Sequence, residues 1–397
     1  MQFKPVFGYG TVSVMSQTIK VAIAHDYLTQ RGGAEKVVLA MARAFPGSPI
    51  YTTLYDPEGT YPEFAGLDVR SAPLNKIQFF RKNHRAALPV LPLVASTIKI
   101  DADVVVASSS GWAHGFRTDG EKIVYCYSPA RWLYQQEAYL GKTSAKWLHA
   151  AMAVLTRPLK RWDRYAAGSA SSYIAISSVV QKRIHDCYGI SSPVVPSPHT
   201  FDVSKPDEKI VALADWADRP QNESFYLCIS RLLPYKNVDK VISAFDGTNP
   251  RLVVVGTGPE RETLEALKPS NVRLLSNLTD GQMRWLYGQC RALVAASYED
   301  FGLTPLEAAC YGKPSVALRW GGFLDTINEN ITGVYFDRPE PADILKAIED
   351  LESRNWNAEQ IACDVERFNE AKFHNALHAS VTNAYYSRHA PDGSRLN

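Results

Sequence analysis

Two glutamates, Glu299 and Glu307, stand eight positions apart in SYEDFGLTPLEAACYGKP, residues 297–314. The apolar run RALVAAS (291–297) precedes them, and Pro305 follows a short loop, so the segment reads as strand, loop and helix. With the helix starting near Thr304 and Pro305, residues 300–304 offer unpaired backbone N–H groups, a ready anion site. Glu299 in the loop can accept from sugar hydroxyls near a reacting carbon. Glu307, about one turn into the helix, can accept a ribose diol, with a diphosphate between them on the amides. Taken alone, such a pair is an ordinary solvated helix face; its company decides. ISRLLPYKNVD places Arg231 and Lys236 just after another predicted strand, where a guanidinium fork and a point-charge ammonium could clamp a diphosphate. VVVGTGPE (253–260) is a strand ending in Gly256-Thr257-Gly258; Arg261 stands where G-x-G-x-x-G needs its third glycine, so it reads as a tight turn beside a nucleotide.

These groups need a scaffold, and the chain alternates strand-like runs with helical stripes. IKVAIAHDY leads through Gly32-Gly33 into a helix with Val37, Val38, Met41 and Phe45 on one stripe. Further runs at 48–55, 103–110, 122–128 and 171–177 continue the pattern, which implies parallel β-α-β units. After the proline-rich stretch 191–208, the best interdomain linker, a second series follows at 225–230, 251–256, 272–276, 291–297 and 314–318. The expected division is an N-terminal extension over 1–18, dispensable or disordered given the alternative start Met15, then domains over 19–200 and 201–369. A last helix at about 370–390 is expected to pack back on the first domain. Two such domains face each other across a cleft between strand carboxyl ends, where open sheets bind ligands.

Composition excludes several classes. The chain has 397 residues, 46% hydrophobic and 21% charged, as in ordinary soluble globular proteins. Its net charge of +2 hides an asymmetry: residues 1–205 hold 23 Lys and Arg against 14 Asp and Glu, so the first half suits an anionic partner. The segments 75–94 and 146–165 mix bulky apolar residues with clustered Arg and Lys and suit peripheral contact with an anionic bilayer. Six scattered cysteines read as buried thiols of a reducing compartment. No apolar run reaches the length of a membrane-spanning helix, and no secretory pattern opens the chain. P-loop, nucleophile-elbow and zinc-ligand spacings are absent, and nothing points to nucleic acid. Asp101-Ala102-Asp103 spells a metal-dependent D-x-D but leads into a strand far in sequence from the other groups.

In VAIAHDYLTQRGGAEKV, YCYSPARWLY, SRLLPYKNVDKVISAF, VVVGTGPE and EDFGLTPLEAACYGKP the chain resembles the retaining family-4 glycosyltransferases of the GT-B fold. The branch it resembles is the bacterial mannosyltransferase-like one of surface-polysaccharide biosynthesis, and the match runs from about residue 19 to 390. The resemblance implies an α/β chain of two Rossmann-like domains, the first (19–200) binding the acceptor and the second (201–369) the nucleotide-sugar donor, and a hexosyltransferase-type enzyme without cofactor or metal. Its substrates would be a GDP-, UDP- or dTDP-sugar and a glycan or lipid-linked oligosaccharide acceptor. It would work in the cytoplasm, at the inner face of the plasma membrane. The implied catalytic residues are Arg231 and Lys236, on the diphosphate, and Glu299, on the donor sugar. Phe301, Gly302, Leu303 and Thr304 would bind phosphate through their amides, and Glu307 the ribose. Gly32 and Gly33 form the first-domain glycine loop, Asn277 and Leu278 lie where the base is read, and Gly256 turns beside the nucleotide.

Three positions depart from the family pattern. Tyr127 replaces a histidine that approaches the sugar's 6-hydroxyl, which brings in donors lacking that group, 6-deoxyhexoses or pentoses. His199 stands where aspartate or asparagine is common, and Asp325 where glutamate is usual. Two rival readings keep the fold: a sugar-nucleotide epimerase, and an inactive nucleotide-sugar-binding protein.

Overall fold

The computed structural model describes residues 10–14, 17–83, 87, 90–135, 146–199, 201–217 and 224–389. The chain forms two compact units: one runs to Pro198 and resumes at Glu370, and the other is His199–Asn369.

In the first unit, strands β1 (Gly10–Val14), β2 (Gln17–His25), β3 (Ile50–Thr52), β4 (Val69–Ser71), β6 (Val104–Ser109), β8 (Glu121–Cys126) and β9 (Ser172–Ala175) make one sheet. Its order is β4-β3-β2-β6-β8-β9, all parallel, with β1 antiparallel to β2. A separate pair joins β5 (Lys99–Ile100) to β7 (Arg117–Thr118). All six residues of β6 are buried, as a parallel strand covered on both faces requires. The helix Glu370–His389 belongs to this unit, and its Phe373, Leu377 and Val381, spaced for one helical face, are buried. Each contributes about 1.5–3 kcal/mol of burial. Phe373 packs edge-on against Tyr125 of β8, and Arg43 pairs with Glu370.

In the second unit, β10 (Phe225–Ile229), β11 (Arg251–Val255), β12 (Val272–Leu275), β13 (Leu293–Ala295), β14 (Ser315–Leu318) and β15 (Gly333–Phe336) are all parallel, in the order β12-β11-β10-β13-β14-β15. Both units thus start at a central strand, wind outward, then return to the other side of it. The reversal between β2 and β6, and between β10 and β13, parts the loops at the carboxyl ends and leaves a crevice there.

Several expectations needed correction. Gly10–Val14, inside the stretch read as an extension, is a strand in register with Gln17–Val21. The 48–55 run is strand only over Ile50–Thr52, and 291–297 only over Leu293–Ala295. Strand β15 went unread because it opens on Gly333, where a Cβ would lie 2.2 Å from the Ser315 carbonyl oxygen of β14. The boundary between the units, Pro198 to His199, does fall within the proline-rich stretch 191–208, whose ends are bonded to their own units: Val195 N–H donates to the Ala175 carbonyl and Glu208 N–H to that of Gly281. Among the cysteines, Cys126, Cys228 and Cys290 are buried, whereas Cys187 and Cys310 are half-buried and Cys363 is exposed.

Candidate active site

The β10/β13 switch assembles the second unit's candidate groups. After β10 the chain makes a short 3-10 turn, Pro234–Lys236, and Asn237 takes the left-handed conformation (φ 53°) that starts the Val238–Ala244 helix. Asn237 Nδ2 donates to the Ala296 carbonyl at 2.8 Å, joining this loop to the one after β13. Lys236 is 5% exposed, and its ammonium is bonded to Glu299 Oε1, which also accepts from Ser297 Oγ at 3.1 Å. The lysine is therefore not a lone point charge: its carboxylate partner, itself 27% exposed in the side chain, is the sugar-binding candidate. Arg231 is exposed, and Nη2 donates to Tyr235 Oη at 3.0 Å, while the Tyr235 ring lies 5.0 Å from the Lys236 ammonium.

Glycines set the backbone around these charges. A Cβ on Gly256 would lie 1.9 Å from the Ser230 carbonyl oxygen, so the Gly256–Gly258 turn lies directly against the loop that carries Arg231. Thr257 accepts from Leu232 N–H at 2.9 Å across the same contact. Gly256 thus shapes the arginine loop, and its bare face is filled by protein. Gly302, at φ 91°, precedes the Leu303–Cys310 helix, and a Cβ there would meet the Phe323 ring at 2.6 Å. Phe301 is buried, whereas Leu303 and Thr304 are half-buried at the helix start. Glu307 Oε2 accepts from Tyr287 Oη at 2.6 Å, so a phenol that sequence reasoning missed orients this carboxylate. Burial and the Glu307 charge hold the Tyr287 phenol well above its ordinary range. Asn277, at φ 56°, and Leu278 follow β12 and lead into the helix Asp280–Gln289, which Thr279 and Gln282 close with a capping box. His199 packs within the same unit: its N–H donates to Phe368, and Nδ1 lies 3.5 Å from Cys310 Sγ. Arg367 donates to the Asp325 carbonyl oxygen at 2.9 Å.

The first unit carries its own cluster at the β2/β6 switch. Gly32 caps the Gly33–Ala44 helix, and a Cβ on it would lie 2.5 Å from Glu35 Oε2. Glu35 is 1% exposed, and burial pushes its carboxyl up to about 7. Tyr127, just past β8, donates to the Ala34 carbonyl at 3.2 Å and bonds Ser108 Oγ at 2.9 Å. His25 Nδ1 lies 2.9 Å from Ser108 Oγ and 3.1 Å from the Ser108 carbonyl, which can only accept, so Nδ1 carries the proton. The proton order runs from His25 through Ser108 and Tyr127 to the glycine loop. Burial holds the His25 imidazole below its ordinary value and the Tyr127 phenol well above. Asp26 is fully committed: its oxygens accept from the N–H groups of Ser110, Trp112 and Ala113 and from Ser110 Oγ, at 2.6 to 2.8 Å. Asp103 of the D-x-D accepts from Lys20 N–H at 2.8 Å.

Residues 31–205 match the model described as Glycosyltransferase Family 4, and residues 216–364 that described as Glycosyl transferases group 1. A D-rhamnosyltransferase of Pseudomonas aeruginosa is 28% identical over 232 residues, 55% of this chain and 57% of that protein. An O-antigen chain mannosyltransferase of Escherichia coli is 25% identical over 201 residues, 48% of this chain and 51% of that one. The chain thus spans about half the length of these curated relatives. An Anabaena protein crystallised with UDP and glucose superposes with a TM-score of 0.66 at 16% identity, over 91% of this chain and 99% of that one. At that identity the likeness speaks to the fold.

Proposed function

We propose that this chain, a glycosyltransferase of the GT-B fold, moves a sugar from a nucleotide diphosphate to a hydroxyl of a glycan or lipid-linked acceptor. The observation that carries this reading is the β10/β13 switch, where Arg231, the Lys236–Glu299 pair and the start of the Leu303–Cys310 helix come together. Bond breaking at the anomeric carbon leaves a nucleoside diphosphate, so the chief demand is stabilising its growing negative charge. Arg231, Lys236 and the helix amides supply that stabilisation from the protein, with no metal required. Glu299 orients the sugar while sharing Lys236 with the phosphate, and Glu307, aimed by Tyr287, takes the ribose. The reaction retains configuration: the acceptor oxygen bonds to the anomeric carbon on the face the phosphate leaves, and the departing phosphate oxygen takes the acceptor proton.

The sugar is mannose or a 6-deoxyhexose or pentose. Similarity to a D-rhamnosyltransferase and to a mannosyltransferase supports this range, and Tyr127 at the glycine loop supports the 6-deoxy end. The place of action is the cytoplasmic face of a membrane. The first unit holds 25 Lys and Arg against 15 Asp and Glu, and exposes Ile77 (49%), Phe79 (60%) and Leu93 (68%). Lys82, counted among its cations, is held by Asp56 and Glu58, so the exposed Phe79 and Leu93 carry more of the membrane reading than that lysine; Arg85, another of its cations, lies outside the described residues. No helix among the described residues is long and apolar enough to cross a membrane.

Calorimetry with GDP-mannose, GDP-rhamnose, UDP-glucose and dTDP-rhamnose, followed by proton NMR of the product's anomeric signal, tests the reading. Binding of one donor and a product of unchanged anomeric configuration are expected. An inverted product would refute retention, and no binding of any nucleotide sugar would refute the whole.

A further inference from the structure

Shortly after the boundary between the units, residues 206–208 are stapled to the start of the helix Asp280–Gln289. Arg284 donates through Nε at 2.9 Å and Nη2 at 2.8 Å to the Pro206 carbonyl. Glu208 N–H donates to the Gly281 carbonyl at 3.0 Å, and a Cβ on Gly281 would lie 3.0 Å from Glu208 Cβ. Glu208 Oε2 then accepts from Thr279 Oγ1 at 2.7 Å. Bonds from backbone and side chain alike thus hold this exposed carboxylate next to the loop of Asn277 and Leu278. Capping the helix does not require it, because the capping box of Thr279 and Gln282 is complete without Glu208.

We infer that Glu208 selects guanine as the base of the nucleotide donor, which narrows that donor to a GDP-sugar. The inference rests on the proposed transferase reading, which gives Asn277 and Leu278 to the base. The helix that starts at their loop also carries Tyr287, the partner of the ribose candidate Glu307, so both ends of the nucleoside meet one element. A carboxylate only accepts, at about four lone-pair positions, and Thr279 takes one of them. Guanine can fill adjacent positions, because its N1–H and its 2-amino group are neighbouring donors on one edge. Uracil and thymine present a single N3–H flanked by two carbonyl oxygens, which would face the carboxylate with negative charge against negative. Adenine sets a ring acceptor beside its 6-amino donor and meets the same repulsion. Asn277 is exposed two residues before Thr279, and its side-chain amide can donate to the guanine O6 on that edge.

The test is calorimetry of the full chain, wild type and Glu208→Ala, with GDP, IDP, UDP and dTDP. IDP keeps the purine ring and its N1–H but lacks the 2-amino group. Wild type is expected to bind GDP about tenfold or more tightly than each of the other three, as suits a hydrogen bond to a charged acceptor. Removing the carboxylate and the 2-amino group, singly and together, isolates their contact. In Glu208→Ala the GDP to IDP ratio is expected to fall to within about threefold, while UDP affinity stays within about twofold and reports that the variant is folded. A Glu208 that only braces the loop would weaken all four nucleotides alike and leave the ratio unchanged, which would overturn the inference. Wild type binding IDP, UDP or dTDP as tightly as GDP would overturn it too, while leaving the transferase reading in place. Binding of none of the four would remove that reading together with the inference.

Discussion

Replacing Lys236 by methionine keeps most of the side-chain length and removes only the ammonium. The Lys236 side chain is 6% exposed and its partner Glu299 27%. Stripping one partner from a fully buried pair costs about 3–5 kcal/mol. Here Glu299 reaches solvent and keeps Ser297 Oγ as a donor, which reduces the folding cost to about 1–2 kcal/mol. At about 2–4 °C per kcal/mol for a unit of this size, the melting temperature falls by about 2–8 °C. Catalysis loses more. A charged donor aimed at negative charge that grows in the transition state is worth about 2.7–4 kcal/mol, so turnover drops roughly 10²- to 10³-fold. Thermal melting and initial-rate measurement of nucleoside diphosphate release separate the two effects. Turnover within about fivefold of wild type, with the melting point lowered as stated, would confine Lys236 to bracing Glu299 and refute its role on the diphosphate.

Three further outcomes follow from the same geometry. Gly256→Ala drives a methyl into the Ser230 carbonyl and is expected to weaken nucleotide binding at least tenfold by displacing the Arg231 loop; unchanged calorimetric affinity would contradict that coupling. Tyr127→Phe removes the donor to Ala34 and the partner of Ser108, with an expected loss of about 1–2 kcal/mol in denaturant unfolding of the first unit; no loss would show that the hydrogen-bond chain holds nothing. Glu35, with its carboxyl raised from 4.5 to about 7 in the folded state, binds its proton more tightly folded than unfolded, so stability is full below about pH 4.5 and declines as pH rises through about 7. Glu35→Gln is expected to be more stable than wild type at pH 8, on the order of 3 kcal/mol, and to lose that advantage by pH 5; a gap independent of pH would refute the assignment.

What could be read from the chain, and what could not, divides along sequence distance. The strand, loop and helix around Glu299 were legible because an apolar run, a glycine and Pro305 punctuate them locally. The Lys236–Glu299 bond was not, because its partners lie 63 residues apart and become neighbours only through the crossover that seats β13 beside β10. Tyr287 lies 20 residues before Glu307 on another helix, where its spacing signals core packing and nothing marks its hydroxyl. Tyr127 stood out against the family pattern, yet its link to Ala34, 93 residues away, needed the sheet. Gly256 shows the converse: its place in a turn was legible, but only coordinates reveal that the missing side chain makes room for Ser230.

The central claim is tested most directly by turnover. The purified chain would be given a panel of GDP-, UDP- and dTDP-sugars in EDTA, with and without a membrane extract as acceptor source, and nucleoside diphosphate release measured. Release from one donor that depends on the extract and survives EDTA is the predicted result. Release without acceptor, accompanied by an isomerised sugar, or silence across the panel despite tight nucleotide binding, would contradict it.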